Sequence, residues 1–506
     1  MTVKRFLFFG FFAVLFFLGA VCGGAVAADA PEWGEGLTDR ELAIQQWFSR
    51  LTFMQGHESA WEGWHDDGKQ LDVTAFRYQF AFGGYGCAAM AAQTPAYRDL
   101  VERQLRDLCE RMVDRRTWFY VTTYWNYGEN PPDPCLYENV MYTGHLTQLM
   151  LLYELLTGDL RYSTDGWDFV WEEGRKTHYT LDKAVRGLRD QSKASPTGGI
   201  CCEPGLVFSA CNAHSAASFV LHDLVHGTDY AGVNQRWFDW MIVNFRNKVP
   251  LTREFLYAIY DQGKGFFYPV GDVGGDCWTL GFGNPWFPDT SFTKTGWKHI
   301  CQNAAWVEPA EGQCYAKNNK VIGCCGGGSL NVANSFIPLT GVQAEGKDSP
   351  RARGVLNWLE ANFGKSHDMD SDGHEESYSY EVCPMHHISA TGIIAAALAT
   401  DGDSMRDFYR TARDGIRSAP TLASVDHPNV LVRAAEYREP VLRFVVLKGR
   451  PGFSGDTELA CSQIPEHAEV LRDGAPWTQF TRDGGTLRIT SDVDSERVFE
   501  VRCGGA

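Results

Sequence analysis

The chain has 506 residues, 44% of them hydrophobic and 13% aromatic, which excludes a disordered protein and provides for a large packed core. A formal net charge of −17 excludes a nucleic-acid binder, because phosphates call for a basic face. Neutral and cationic small molecules remain as partners.

Lys4 and Arg5, the uncharged run from Phe6 to Val21, and Ala25-Val26-Ala27 form the three parts of a secretory signal. Residues 1–27 are expected to be cleaved off, taking the net charge from −17 to −19 and exporting the chain to the periplasm or beyond. If uncleaved, the apolar run anchors it to a membrane. Export implies an oxidising compartment, so most of the cysteines past Ala27 are expected to pair, Cys461 with Cys503 foremost. The twin pairs Cys201-Cys202 and Cys324-Cys325 are further candidates, with connectivity open.

From about residue 40 to 415, apolar positions recur at three- and four-residue steps between turns rich in Gly, Pro and Asp, predicting helices in hairpins. Gly158, Gly227 and Gly402 sit where a left-handed residue closes one helix before the next begins. A repeated hairpin of this kind builds a toroid or a solenoid. The glycine-rich stretch from Asp261 to Gly328, with Phe266, Phe267, Tyr268, Trp278, Phe282, Trp286 and Phe287, reads as rim loops over a pocket. Past Pro428 the texture turns to short alternating runs such as Val441–Leu447 and Thr486–Thr490, with Asp-Gly turns, predicting a small β module over 430–506.

Two segments carry a family likeness: Glu138-Asn139-Val140-Met141-Tyr142-Thr143-Gly144-His145-Leu146, and Ile200-Cys201-Cys202-Glu203-Pro204 followed by Cys211-Asn212. Leu152–Gly158 and His226–Tyr230 extend it. Together they resemble the linalool dehydratase/isomerase family. The resemblance implies an (α/α)6 barrel over 28–425, with the β module as an addition. It also implies a terpenol pocket lined by His145 and by Cys202 and Cys211, nine positions apart. Glu58 stands where the family has an aspartate, and Tyr78 matches a pocket tyrosine. Met141, Glu203, Phe208, Trp278 and Trp61 are expected to line the substrate. The resemblance further implies a ring-shaped homo-oligomer, an apolar alcohol as the small-molecule substrate, and no required cofactor.

Each of these residues also has an ordinary reading. His145 shares a helix face with Met141, Leu149 and Leu152, as a core histidine does. Two cysteines nine apart in an exported protein ordinarily form a disulfide. Cys201 stands where the family has valine, Trp61 or Trp64 where it has a tyrosine, and Gly274 or Asp276 where it has another. These departures reshape the pocket, so the resemblance implies a reaction type rather than the family's own substrate. Outside that region, Asp368, Asp370 and Asp372 before Gly373 begin like a calcium loop, although position twelve is Ser379 rather than glutamate.

The leading expectation is an exported lyase or isomerase that dehydrates or isomerises an allylic alcohol by acid/base or cysteine-assisted chemistry. One alternative is a carbohydrate-active (α/α) toroid enzyme, which needs paired carboxylates or a His/Tyr pair at a cleft. The other is a non-catalytic secreted protein whose cysteines are all structural.

Overall fold

The computed structural model describes residues 33–54, 61–66, 68, 70, 75–125, 133–136, 138–248, 253–269, 271–317, 330–368, 373–382, 387–411 and 418–504. The signal segment 1–27, Glu58, Cys324, Cys325, Asp370 and Asp372 lie outside the described residues. No helix among the described residues is long and apolar enough to cross a membrane.

Among those residues the protein is mainly helical with a separate β region, and twelve helices are nine residues or longer. They are α1 (Asp39–Leu51), α2 (Phe76–Ala92), α3 (Asp99–Val113), α4 (Val140–Thr157), α5 (Leu181–Ala194), α6 (Ser209–His226), α7 (Asn234–Asn244), α8 (Val273–Gly283), α9 (Ser291–Asn303), α10 (Ile337–Glu345), α11 (Pro350–Phe363) and α12 (His387–Leu398). α4 is buried on every face, and α2 on all but its last residue. A helix apolar all round belongs inside other helices. By contrast α3 and α5 bury one stripe and leave the other half-buried in α3 and more exposed in α5.

The buried helices are neighbours in sequence of contact. α2 packs on α4, α4 on α6, α6 on α8, α8 on α10, α10 on α12, and α12 on α2. The others lie between or behind them: α3 against α2 and α4, α5 against α4 and α6, α9 against α8 and α10. α2 and α12 approach most closely through small residues, since a Cβ on Gly392 would stand 2.2 Å from the Phe82 carbonyl oxygen. The expected glycine stops are in place, with Gly158 (φ 65°) and Gly227 (φ 66°) left-handed at the ends of α4 and α6.

A repeated device locks the start of each buried helix. A polar side chain in the first turns, or for α10 in the short helix Leu330–Ser335 just before it, bonds the backbone of the segment leading in. Gln79 clasps His65, Thr143 donates to Pro134 O, Asn212 clasps Ile200, Asp276 accepts from Phe255 and Leu256, Asn334 clasps Ala316, and Thr391 accepts from Tyr380. Six such clasps at positions 79, 143, 212, 276, 334 and 391 reveal a repeat that residue identity hides.

The reading of 261–328 as rim loops is corrected between 273 and 303. Val273–Gly283 is a buried helix and Ser291–Asn303 a second one, so Trp278 and Phe282 are interior. Their glycines serve close approach rather than loop freedom: a Cβ on Gly274 would meet Ala333 at 2.7 Å.

The β region forms a four-stranded and a five-stranded sheet over a shared apolar core that includes Phe444, Leu459, Ile489 and Phe499. Its first strand, Thr421–Ser424, begins inside the stretch assigned to the helical part. Leu422 N donates to Ala96 O (2.8 Å) and Ala96 N to Ala435 O (2.9 Å), tying this region to the α2–α3 link within one compact unit, Gly34–Ala506. Cys461 and Cys503, expected to be bridged, are both thiols. Cys461 lies in a strand of the four-stranded sheet and Cys503 just past the last strand of the five-stranded one, where its Sγ turns to the Val501 carbonyl instead.

Candidate active site

The strands Cys201–Glu203 and Leu206–Phe208 form a hairpin just before α6, turned at Gly205 (φ 74°). Asn212 pins it to the helix. Its Oδ1 accepts from Ile200 N at 2.7 Å, and its Nδ2 donates to Ile200 O at 2.9 Å and Phe208 O at 2.8 Å. Held in this way, Cys202 Sγ lies 3.0 Å from Cys211 Sγ, with both side chains buried.

The first turn of α2 brings Arg77 and Tyr78 to the same end of the helices. Arg77 is wholly buried, donates to Gln70 O and to Met141 Sδ (3.5 Å), and stands 4.5 Å from the ring centroids of Tyr78 and Tyr120. Burial works against its charge, but Tyr120, Tyr78 and Cys202 more than offset it and hold the guanidinium above its ordinary pKa. Glu203 is half-buried; burial raises its carboxyl pKa and Arg77 opposes the rise. Burial thus favours the protonated form of this carboxyl relative to one in water.

His145, on the second turn of α4, is buried, with Nδ1 2.8 Å from the Tyr85 hydroxyl and Nε2 without a partner among the described residues. Its ring centroid is 3.8 Å from that of His214. Burial first, then His214 and Arg77, drive the His145 pKa well below its ordinary value, so the imidazole is neutral. Burial does the same to His214. Trp278 Nε1 donates to His214 Nε2 at 2.7 Å, and His214 Nδ1 meets Gln148 Oε1 at 2.7 Å. Gln148 Nε2 in turn donates to the Tyr409 hydroxyl at 2.8 Å.

Around these lies a layer of rings. Phe82 is 5.5 Å from His145, 5.2 Å from Trp278 and 5.5 Å from Phe336, and Trp278 stacks on Phe336 at 5.1 Å. Tyr78 stands edge-on to His145 (5.2 Å) and Trp278 (5.8 Å). Such a dry, aromatic setting suits carbon chemistry with cationic character.

Tyr78, Met141, His145, Cys202, Glu203, Cys211 and Trp278 thus connect through Arg77, Tyr78 or the thiol pair, and Phe208 closes the Asn212 clasp. Trp61 does not join them: it packs on Phe76 (5.0 Å) and Phe80 (5.9 Å), under Arg116 (4.3 Å). Asp276, considered for the pocket, is spent on the Phe255 and Leu256 amides. Of the calcium candidates, Asp368 accepts from Gly373 N (2.8 Å), and Ser379 is buried and bonded to His367 Nε2 (2.7 Å). No cluster of three or more metal-type side chains occurs among the described residues.

Sequence reasoning missed Arg77, Tyr85, Gln148 and His214. The signal for three of them is helical spacing: Tyr85 lies seven after Tyr78, Gln148 three after His145, and His214 three after Cys211.

Among solved structures the chain is similar to an unsaturated glucuronyl hydrolase specific for heparin, at 11% identity and TM-score 0.41, covering 63% of this chain and 84% of that one. It is also similar to a sugar epimerase from a ruminal bacterium, at 10% identity and TM-score 0.36, covering 70% and 98%. A family model described as linalool dehydratase/isomerase matches residues 77–374, a span that takes in Arg77, Tyr78, His145, Cys202, Cys211 and Trp278. With more than half of its length matched, the chain belongs to the linalool dehydratase/isomerase family.

Proposed function

We propose that this chain is a hydro-lyase or isomerase of an apolar allylic alcohol, working from the N-terminal ends of the inner helices of an (α/α)6 barrel. The closed run of contacts among α2, α4, α6, α8, α10 and α12, and the six clasps, support the barrel. One observation carries the function: Arg77 is within electrostatic reach of both His145 and Cys202, so the family's histidine and its thiol pair share one buried environment.

In the proposed reaction Glu203, as a carboxylic acid, gives its proton to the hydroxyl, the C–O bond breaks, and water leaves. The resulting allylic cation is stabilised by the neighbouring Tyr78 and Trp278 rings. His145 Nε2 then takes a proton from the neighbouring carbon, leaving a diene. Isomerisation returns water to the other end of the allyl system instead. Attack by Cys202 or Cys211 at the allylic carbon is the covalent variant, with a thioether in place of the cation. Only side chains take part, and no metal or organic cofactor is called for.

The test is turnover of an allylic alcohol panel, with products read by gas chromatography, for wild type, Cys202→Ala, Cys211→Ala and His145→Gln. Wild-type activity with losses of about 100-fold or more in each variant is expected. Turnover of unsaturated uronides or glycosides with no action on any allylic alcohol would overturn the reading.

A further inference from the structure

Behind the ring layer, at the other end of α2, lies a cavity of about 280 Å³. Ala88, Ala89 and Ala92 of α2 form part of its wall, and Tyr85 and Tyr409 stand at its inner side. Each tyrosine is one step from the histidine pair. Tyr85 bonds His145 Nδ1 directly, and Tyr409 reaches His214 through Gln148. Tyr85 also stacks on the His214 ring, 5.4 Å away at 14°.

The donors and acceptors can be counted. His214 Nε2 accepts from the Trp278 indole, so its proton is on Nδ1, facing Gln148 Oε1. The Gln148 amide then donates to Tyr409, whose own hydroxyl proton has no acceptor among the described residues. On the other branch, Tyr85 bonds only His145 among the described residues: it donates to Nδ1 unless another acceptor takes its proton. The cavity is lined by both tyrosines and can hold such an acceptor. It is far larger than the roughly 30 Å³ of a single water, and Gln93, Thr400 and Ser404 add polar wall.

We propose that this rear cavity is a hydrated proton port for the site, and that Tyr85 is the positioning residue that sets the His145 tautomer and carries protons between them. At rest Tyr85 donates to Nδ1, and Nε2 holds the proton. Nε2 becomes a base when its proton passes to the Glu203 carboxylate left after the hydroxyl has been protonated, while Nδ1 takes the Tyr85 proton and Tyr85 takes one from cavity water, leaving hydroxide there. After Nε2 has taken a proton from substrate carbon, the Nδ1 proton returns to the Tyr85 oxygen as the Tyr85 proton returns to the cavity hydroxide. No other reactant enters. The catalytic half of this rests on the proposed dehydration; the tautomer does not.

The first measurement is therefore free of substrate: ¹⁵N-histidine NMR of the full chain, with His145 assigned by His145→Gln. Wild type is expected to show Nε2 protonated and Nδ1 bare, and Tyr85→Phe, which removes one oxygen, is expected to change that pattern. An Nδ1-protonated wild type, or identical His145 signals in Tyr85→Phe, would sink the positioning role whether or not an allylic alcohol is turned over. The second arm uses kinetics on an accepted allylic alcohol. Tyr85→Phe and the cavity-filling Ala92→Leu are each expected to lower kcat about tenfold or more with KM unchanged and with a larger solvent isotope effect. An unchanged kcat in both overturns the port. If no alcohol is accepted, the proposed function fails and the NMR result alone decides the role of Tyr85.

Discussion

Trp278 Nε1 donates to His214 Nε2 across 2.7 Å, and this bond decides where the His214 proton sits and hence how Gln148 and Tyr409 are oriented. Trp278→Phe keeps an aromatic ring on Phe336 but leaves His214 Nε2 buried without a donor. A loss of about 1–3 kcal/mol in urea unfolding is expected. An unchanged midpoint would mean that the bond is not formed in solution.

Asn212→Ala removes three hydrogen bonds that hold the cysteine hairpin to α6. The expected results are a stability loss of about 2–4 kcal/mol and faster alkylation of Cys202, read by peptide mass spectrometry. Alkylation at the wild-type rate would show that the hairpin stays in place without its clasp.

The two thiols at 3.0 Å are set to oxidise together. Mild diamide treatment is expected to yield a Cys202–Cys211 disulfide, reversed by dithiothreitol, with activity lost and regained in parallel. Cross-linking of Cys202 to Cys201's other neighbours, or none at all, would contradict the geometry.

Acid stability follows from buried histidines. His222 bonds Thr228 Oγ1 through Nδ1 at 2.8 Å. Burial, and then His226, lower its pKa to about 4, with Asp182 and Asp223 opposing. The folded pKa is below the unfolded one, so the unfolded chain binds the proton first. The contribution is complete above about pH 6.5 and is lost as the pH falls through about 4. His222→Asn is expected to spare about 2 kcal/mol of the stability that wild type loses between pH 7 and pH 5. Parallel losses in both proteins would assign the effect elsewhere, His145 and His214 being the next buried histidines in line.

Gly392→Ala tests the closest helix pair. Its Cβ would meet the Phe82 carbonyl at 2.2 Å and the Gly83 nitrogen at 2.7 Å, both backbone atoms that cannot turn aside. A destabilisation of about 3 kcal/mol or more is expected by thermal melting, although alanine is the better helix former.

Helical hairpins, their glycine stops at 158 and 227, and the change to strands near the C-terminus were all determined by sequence alone, because each depends on local spacing and on a backbone angle few residues accept. His145, Cys202 and Cys211 were legible through their motifs. Helix α8 was not, because Val-Gly-Gly-Asp-Cys-Trp-Thr-Leu-Gly-Phe-Gly reads as a loop by propensity and is helical only because its neighbours need glycine to come close. The placement of Arg77, Tyr85 and His214 was decided by tertiary structure: their partners lie 60 or more residues away in several cases, as with Tyr85 and His145 or His214 and Trp278. Local pattern shows which face a residue takes on its helix, whereas only the packed helices bring those faces within hydrogen-bond reach.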